Sequence, residues 1–219
     1  MKFLKDNGLV LTMLGVFLLC LAGQALTGWS AENEQRAMHG EGGTSFGAFL
    51  GSGAFLSSVF ENWESEFLEK WAFVLLTAWL YQRGSADSKD PDKDAPEDRD
   101  PALDANKPDA PWPVRAGGLP RILYSHSLGI VLLVLFLGTF ALHVWNSARH
   151  AAAEALQHGQ VPASVLEHLV TGQFWFESLQ NWQSEFLSTG LLILLAIFLR
   201  EKGSPESKPV ADPHGKTGH

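Results

Sequence analysis

Four apolar runs and two strongly polar segments alternate along this chain of 219 residues. The apolar runs cover residues 9–26, 67–81, 122–145 and 186–199. A helix needs about 20 mostly apolar residues to cross the hydrocarbon core of a bilayer, and the first and third runs approach or exceed that length. The second and fourth runs are long enough only when they are counted from Trp63 and Trp182, because tryptophan favours the membrane–water interface. The pattern therefore predicts four transmembrane helices.

The predicted fold class is an all-α membrane protein made from two tandem helical hairpins. The four spans are expected at about residues 8–28, 63–82, 122–146 and 182–200. The first hairpin then occupies residues 1–83 and the second occupies residues 119–202. We expect both chain termini and the segment between the hairpins to lie on the same side of the membrane.

One heptapeptide occurs twice, at the start of the second and fourth runs. NWESEFL occupies residues 62–68 and NWQSEFL occupies residues 181–187, so the two copies are 119 positions apart. The same offset aligns Gln24 with His143 and the GSxxSK motifs after the two runs, without a gap. Such a register indicates the duplication of a two-helix unit. Because each unit holds two spans, we expect the units to be parallel and related by a pseudo-two-fold axis along the membrane normal.

The first apolar run has features of a secretory signal peptide. Lys2 and Lys5 precede it, and Gly23-Gln24-Ala25 resembles a cleavage site. Its counterpart, the third run, lies in mid-chain and cannot be a cleaved signal, so we expect the first helix to be retained. Lysine and arginine residues concentrate near the termini and between the hairpins, which predicts that these parts face the cytoplasm.

Half of the formal net charge of −8 comes from the segment between the hairpins. Residues 84–118 are dense in aspartate and proline, which predicts a disordered linker that acts as a tether rather than as an acidic binding segment. Residues 203–219 are similarly predicted to be a disordered tail. The chain has no basic stripe of the kind that binds nucleic acid. With Cys20 as the single cysteine, an intramolecular disulfide and a cysteine-based metal site are excluded.

Two apolar segments, residues 44–60 and 161–179, directly precede the two NWxSEFL motifs. We interpret them as interfacial helices on the outer leaflet or as extensions of the helices that follow. A third interpretation makes them re-entrant loops that line a pore, which would require protein or water around their backbone.

The NWxSEFL motif places an asparagine and a glutamate four residues apart, and therefore on one helix face. Helix capping, the helix dipole and interfacial anchoring by tryptophan account for much of the motif. A carboxylate at the edge of the lipid nevertheless costs free energy unless it finds a partner. We predict a polar cluster near the outer face that consists of Gln24, Asn62, Glu66, His143, Asn181 and Glu185.

The predicted role of this cluster is interhelical hydrogen bonding, with a transport or ligand site as the alternative. Paired with Glu66 or Glu185, His143 would make a proton-responsive pair. The predicted interfacial anchors are Trp63, Trp71, Trp145 and Trp182. The predicted contacts with cytoplasmic lipid phosphates are Arg83, Lys89, Arg200, Lys202 and Lys208.

The sequence contains no catalytic motif and no metal-ligand spacing, so we expect neither an enzyme nor a cofactor or metal site. The expected partners are the lipid bilayer and either a second copy of the chain or another membrane protein. The leading functional hypothesis is a non-enzymatic membrane scaffold or accessory protein. The alternative is a small transporter or channel that uses Glu66 and Glu185 as its polar site.

The segments FENWESEFL and FWFESLQNWQSEFLSTGLLILLAIFLREKGSPESKPV resemble a family of small bacterial integral membrane proteins known as a domain of unknown function. The first and third apolar runs resemble two further helices of that family. The resemblance covers nearly the whole chain and implies a location in the bacterial inner membrane. It implies no activity.

Overall fold

The structure is a computed structural model that describes residues 2–218. Within that range the chain is all-α, as predicted, with nine α-helices, two short 3-10 helices and no β-strand. The α-helices are α1 (Lys2–Asp6), α2 (Gly8–Met38), α3 (Phe46–Leu50), α4 (Gly53–Leu76), α5 (Trp112–Ala116), α6 (Gly118–Ser125), α7 (Ser127–Gln157), α8 (Val165–Leu169) and α9 (Gly172–Phe198).

Among the described helices, α2 and α7 are the two that are both long enough and apolar enough to cross a membrane. Each has 31 residues and is therefore about 46 Å long at 1.5 Å per residue. Ala25 is the one buried side chain of α2, and its leucine, valine and phenylalanine side chains are largely exposed around the helix. A helix that is apolar on all sides belongs inside a core or inside a membrane, and this one is not inside a core of the chain.

Helices α4 and α9 begin about ten residues before the spans predicted from Trp63 and Trp182. Ser52 Oγ accepts the Phe55 N–H (3.2 Å), and Thr171 Oγ1 accepts the Phe174 N–H (3.3 Å). These hydroxyl groups satisfy free N–H groups of the first helical turns. The apolar segments before the NWxSEFL motifs therefore run into the helices that follow, and the expectation that the motif asparagines cap these helices is wrong.

The GSxxSK motifs form loops after α4 and α9. Ser88 Oγ accepts the Gln82 N–H and Ser207 Oγ accepts the Glu201 N–H, both at 2.9 Å. Gly84 has a φ of +86° and Gly203 a φ of +94°, a region that favours glycine. Helix α4 ends at Leu76, before the predicted end near residue 82, and α9 ends at Phe198. Gly84 and Gly203 therefore lie several residues beyond their helices and do not cap them.

Helix bounds in the two halves of the chain correspond at the same offset of 119 positions. Helix α7 has the bounds of α2 shifted by this offset, α8 has those of α3, and α9 has the starting position of α4. Side-chain bonds at the ends of α2 and α7 correspond as well. His39 Nδ1 lies 2.8 Å from Gln35 O, and His158 Nδ1 lies 2.8 Å from Glu154 O.

The described residues form two compact units. Unit 1 contains residues 2–60 and 142–174, and unit 2 contains residues 61–141 and 175–218. In unit 1, the first residue of α4 approaches the backbone of α7. A Cβ atom on Gly53 would lie 2.7 Å from His150 N and 2.8 Å from Asn146 O, whereas one on Gly172 would meet nothing within 4 Å. Only glycine permits the close approach at position 53.

The linker, which the sequence predicted to be disordered, has described structure in unit 2. It contains two single-turn 3-10 helices and helix α5. Ion pairs connect Arg83 with Asp92 (2.5 Å) and Lys89 with Asp98 (2.6 Å). Each pair joins residues nine positions apart and therefore depends on the path of the loop between them, which cannot be predicted from composition.

The C-terminal tail, which the sequence also predicted to be disordered, has contacts with the first hairpin in unit 2. The Gly84 N–H donates to Thr217 Oγ1 and the Gly218 N–H donates to Ser85 O, both at 2.9 Å. A Cβ atom on Gly84 would lie 2.7 Å from His214 O. The tail therefore packs directly on the GSxxSK loop of the first hairpin.

Substituting Gly53 by alanine is expected to lower the free energy of unfolding by about 1–3 kcal/mol, because the new methyl group must displace the α7 backbone. The matched variant Gly172→Ala has open space and should change stability by no more than about 1 kcal/mol. Thermal unfolding in detergent micelles compares the two variants. Equal losses of stability would contradict the close contact.

Substituting Gly84 by alanine is expected to release the tail, because a Cβ atom there would overlap His214 O. Gly203→Ala is the matched control, since it carries the same positive-φ strain of about 1 kcal/mol but meets nothing within 4 Å. Hydrogen exchange of residues 212–218 should accelerate in the first variant only. Slow exchange in both variants would show that the tail is held by other contacts.

Candidate functional site

Two of the six residues predicted to form a polar cluster, Gln24 and His143, lie in unit 1. Gln24 Nε2 donates to Ser58 Oγ at 3.2 Å, so its amide connects α2 with α4. His143 is fully buried, and its ring lies 5.0 Å from the ring of Phe174. Both side chains therefore take part in helix packing within this unit.

Unit 1 also contains a buried polar pair that sequence reasoning missed. Ser147 Oγ and His168 Nε2 lie 2.8 Å apart, and the His168 ring packs on Phe174. The residues 119 positions earlier are Gly28 and Phe49, whose ring rests against that glycine. A hydrogen bond in one half of the chain thus takes the place of an apolar contact in the other half.

In unit 2, α4 and α9 meet through polar contacts that we call the α4–α9 seam. Asn181 Nδ2 donates to Glu61 Oε1 in a short hydrogen bond. Trp182 Nε1 donates to Glu64 Oε1 at 3.3 Å, and Thr189 Oγ1 donates to Glu69 Oε1 at 2.7 Å. The seam consists of Glu61, Glu64, Glu69, Asn181, Trp182 and Thr189. In each contact α4 supplies a carboxylate and α9 supplies the donor.

Two of the seam carboxylates are removed from solvent. Glu64 is 0% exposed and Glu69 is 1% exposed. Lys70 Nζ lies 2.6 Å from Glu69 Oε2, although the Lys70 side chain itself is 55% exposed. Burying a carboxylate costs several kcal/mol unless it is paired and hydrogen-bonded, and the contacts of Glu69 with Lys70 and Thr189 offset part of that cost.

Glu66 and Glu185, the glutamates shared by both motif copies, interact electrostatically in unit 2. Lys70 lies close enough to interact with both, and Glu185 also interacts with Glu69. Glu66 is exposed and Glu185 is half-buried. Glu66, Glu185, Glu69 and Lys70 therefore form one charged group in unit 2.

These glutamates lie in the middle of their helices. Glu185 is the central residue of α9, with thirteen helical residues on either side, and Glu64 is one of the two central residues of α4. The sequence predicted that Glu66 and Glu185 lie one turn from Trp63 and Trp182, at the edge of the lipid. The helices that contain them begin at Gly53 and Gly172, in keeping with the interpretation of the preceding apolar segments as helix extensions.

The three seam glutamates are special to the first half of the chain. The residues 119 positions after Glu61, Glu64 and Glu69 are Gln180, Gln183 and Ser188. Sequence reasoning missed these glutamates because it selected residues that both motif copies share. Their charge could have identified them, because an ionisable side chain inside a membrane-length helix usually has a structural or functional partner.

Trp182, one of the predicted interfacial anchors, is half-buried in unit 2. Its ring packs against Phe136 and Trp175, with ring centroids 6.3 Å and 6.1 Å away, and its indole N–H is bonded to Glu64. Trp63 and Trp71 are half-buried. Trp145 is largely exposed, so its side chain remains available for a membrane interface.

The predicted lipid-phosphate contacts separate into two groups. Lys208 is 1% exposed and its ammonium donates to the carbonyl groups of Pro213, His214 and Lys216, so its assignment to lipid is wrong. Burial lowers the pKa of Lys208, and repulsion from Arg200 lowers it further. The Arg200 guanidinium likewise donates to backbone carbonyl groups, including Asp212 O.

The remaining predicted phosphate contacts lie at the surface or in ion pairs. Arg83 is paired with Asp92, and its hydrogen bond lowers the pKa of that carboxyl group. Lys89 donates to Ala78 O and to Asp98, while Lys202 is exposed. Of the five predicted residues, Arg83 and Lys202 are exposed, and Arg83 is paired with Asp92.

Within residues 2–218, no group of three or more histidine, cysteine, aspartate or glutamate side chains is arranged to hold a metal ion. A cavity of about 650 Å³ lies in unit 2, where the end of α4 meets the linker and the tail. Its walls include Asp87, Asp90 and Asp98 as well as Lys89 and Lys93. These charges are largely paired with one another, which favours a structural role for this region.

Comparison with known proteins identifies one family for this chain. The family model described as a domain of unknown function, DUF6766, matches residues 1–219. No curated protein and no solved structure matches the chain significantly. The match agrees with the resemblance seen in the two NWxSEFL segments, and the chain belongs to the DUF6766 family of domains of unknown function.

Proposed function

We propose that this protein is an integral membrane protein with four spans that acts as a non-enzymatic scaffold or accessory protein. The observation that carries the proposal is the exposed apolar surface of α2 and α7. A monomeric soluble protein rarely exposes a large continuous apolar patch, whereas lipid hydrocarbon covers one at no loss of hydrophobic free energy. The bilayer is therefore the first partner of the chain.

The lengths of α4 and α9 support two further spans. Their 24 and 27 residues correspond to about 36 and 40 Å, which exceeds the roughly 30 Å of hydrocarbon. Glu61, Glu64 and Glu69 have hydrogen-bond donors within the protein, which reduces the free-energy penalty of placing them in lipid. Matching helix bounds support two parallel hairpins that arose by duplication.

The distribution of basic residues supports an orientation with both termini and the linker in the cytoplasm. The family resemblance supports the inner membrane of a bacterium. In this arrangement the α4–α9 seam lies at mid-membrane and holds the two helices in register. Interhelical hydrogen bonds in membranes contribute about 0.6 kcal/mol each on average, so the seam would specify packing more than it would add stability.

A small transporter or channel is the second candidate, and the central position of the seam favours it. Ionisable side chains near the middle of a membrane are costly, and they commonly mark ion pathways or proton relays. Glu185 and Glu64 occupy the centres of α9 and α4. In this second candidate the charged group formed by Glu66, Glu69, Lys70 and Glu185 contacts the transported species.

The four-span topology predicts which single cysteines an impermeant maleimide labels in intact cells. In a Cys20→Ser background, Gly42→Cys and Val161→Cys should be labelled from outside, and Lys107→Cys only after lysis. With α2 and α7 as the only spans, position 107 would instead lie outside and position 161 inside. That second pattern would overturn the four-span proposal.

The double variant Glu66→Gln/Glu185→Gln is expected to weaken assembly if the protein is a scaffold, because it removes the charged side chains shared by both motif copies. The measurement is affinity purification in a mild detergent that retains lipid, followed by native mass spectrometry. Glu34→Gln, at an exposed position of α2, is the matched control. A partner protein or second copy that is lost only from the double variant supports the scaffold. Unchanged assembly would contradict the scaffold proposal, and the next measurement would be transport of ions or small molecules by the protein in liposomes.

A further inference from the structure

Four aromatic side chains of unit 2 form a closed circuit of ring contacts between α7 and α9. They are Phe136, Phe140, Trp175 and Trp182, and we call them the aromatic quartet. Residues four or seven positions apart share a helix face, so each helix carries its two rings on one face. The ring centroids lie 5.9 Å apart for Phe136–Phe140, 6.4 Å for Phe140–Trp175, 6.1 Å for Trp175–Trp182 and 6.3 Å for Phe136–Trp182.

The dimensions of this circuit match those that a small organic cation needs. A cation is attracted to the face of an aromatic ring when it lies within about 6 Å of the ring centroid. A square with sides of about 6.2 Å has its centre about 4.4 Å from each corner, so one cation at the centre of such a set reaches four rings. Neighbouring rings of the quartet are inclined by 43° to 89°, so they are not stacked on one another's faces.

None of the four residues of the quartet is buried. Trp175 is 38% exposed, and Phe136, Phe140 and Trp182 are half-buried. By contrast, Phe174, which precedes Trp175 in the chain, is 0% exposed. The quartet therefore keeps aromatic surface that a ligand can reach, whereas a purely structural core covers its rings.

The complete set of four rings is special to the second half of the chain. The residues 119 positions before the quartet are Phe17, Leu21, Leu56 and Trp63. Leucine also buries a large apolar side chain, so apolar packing at these positions does not require a ring at residues 140 and 175. Leucine lacks the negative face of an aromatic ring and cannot attract a cation in this way. The two additional rings therefore add attraction for positive charge.

A carboxyl group lies at the edge of the quartet. The Trp182 indole N–H donates to Glu64 Oε1 at 3.3 Å, and Glu64 is 0% exposed. An ionised acceptor polarises the indole through this hydrogen bond and makes the face of the ring more negative. Its own charge adds to the attraction at short range. Both effects favour a cation over a neutral ligand of the same size.

We propose that the aromatic quartet binds a quaternary ammonium group, with Glu64 as the neighbouring negative charge. A quaternary ammonium has no N–H to donate, and its methyl groups pack against the faces of aromatic rings. A primary ammonium has three N–H donors that need acceptors, and phenylalanine and tryptophan side chains provide none. This inference deepens the second candidate function by naming a ligand class, and it rests on that candidate only for movement of the ligand across the membrane.

Two sources supply a quaternary ammonium group, namely a free organic cation and the choline headgroup of a lipid. Trp175 lies in the first turn of α9, and Trp182 lies about two turns further along the helix. In the proposed four-span arrangement the quartet therefore extends from the outer end of α9 toward the middle of the membrane, where both sources have access to it. The chemistry of binding is the same for both, and the experiment separates them.

The test is isothermal titration calorimetry of the full chain in an uncharged maltoside detergent, with choline chloride as the probe and sodium chloride as the reference. The comparison ligand is the neutral alcohol in which a carbon atom replaces the nitrogen of choline. It has the same shape and no charge, so it reports apolar binding alone. We expect saturable binding of choline that is at least about tenfold tighter than binding of the alcohol.

The double variant Phe140→Leu/Trp175→Leu installs the residues of the first half of the chain and is expected to weaken choline binding at least about tenfold. Trp145→Leu, which removes an exposed tryptophan of α7 outside the quartet, is the matched control and should leave the affinity unchanged. Glu64→Gln keeps an acceptor for the Trp182 N–H and removes the charge. It should weaken binding of choline but not of the neutral alcohol.

A parallel titration with glycerophosphocholine, the soluble headgroup of phosphatidylcholine, identifies the source of the ligand. Tighter binding of glycerophosphocholine than of choline supports the quartet as a site for a lipid headgroup. Tighter binding of choline supports it as a site for a free organic cation.

Two results would overturn the proposal. One is a wild-type protein that binds choline no better than the neutral alcohol, or that binds neither, because the rings would then serve packing alone. The other is an unchanged choline affinity in the double leucine variant, which would place the binding elsewhere. Helical content is measured for each variant, and the comparison of choline with the alcohol tests the proposal on the wild type even where a variant fails to fold. Because binding is read without any flux, a protein that binds choline but moves none into liposomes would refute the transporter and keep this inference.

Discussion

The hydrogen bonds that α9 donates to the carboxylates of α4 are the interaction on which the organisation of unit 2 depends. A buried carboxylate loses its hydration, so each oxygen needs a donor from the protein. Trp182, Thr189 and Lys70 provide donors to Glu64 and Glu69. Leaving one of these acceptors without its donor would cost about 1–3 kcal/mol. This requirement explains why the indole N–H of the half-buried Trp182 is directed at Glu64.

The two halves of the chain share local structure but use it in different contacts. Their loops repeat the same serine and histidine hydrogen bonds at a constant offset. Their packing is different, because Gly53 touches the backbone of α7 while Gly172 faces open space. Short-range bonds depend on neighbouring residues, which the halves share. Contacts between helices depend on side chains that have diverged, and this divergence concentrates charge in α4.

That concentration of charge links the two proposed functions. A seam of hydrogen bonds in the middle of the membrane fixes the register of α4 and α9, which a scaffold requires. Beside the seam, the carboxylates of Glu66, Glu69 and Glu185 interact with the ammonium of Lys70, and this is the charged group that the transporter candidate uses.

The sequence by itself determined the class of the protein and the position of its two most apolar helices. Composition and helix length are local properties, and they were sufficient to predict an all-α chain in which α2 and α7 are long enough to cross a membrane. The sequence left the start of α4 open between an interfacial helix, a re-entrant loop and an extension of the second span, because the pattern of this glycine-rich segment does not distinguish a helix from a loop; in the structure Ser52 caps the extended helix. Only the tertiary structure decided that Glu64 and Glu69 are buried and that Lys208 binds the tail instead of lipid. The partners of those side chains lie far along the chain or across a turn, and no local pattern specifies which residues will meet.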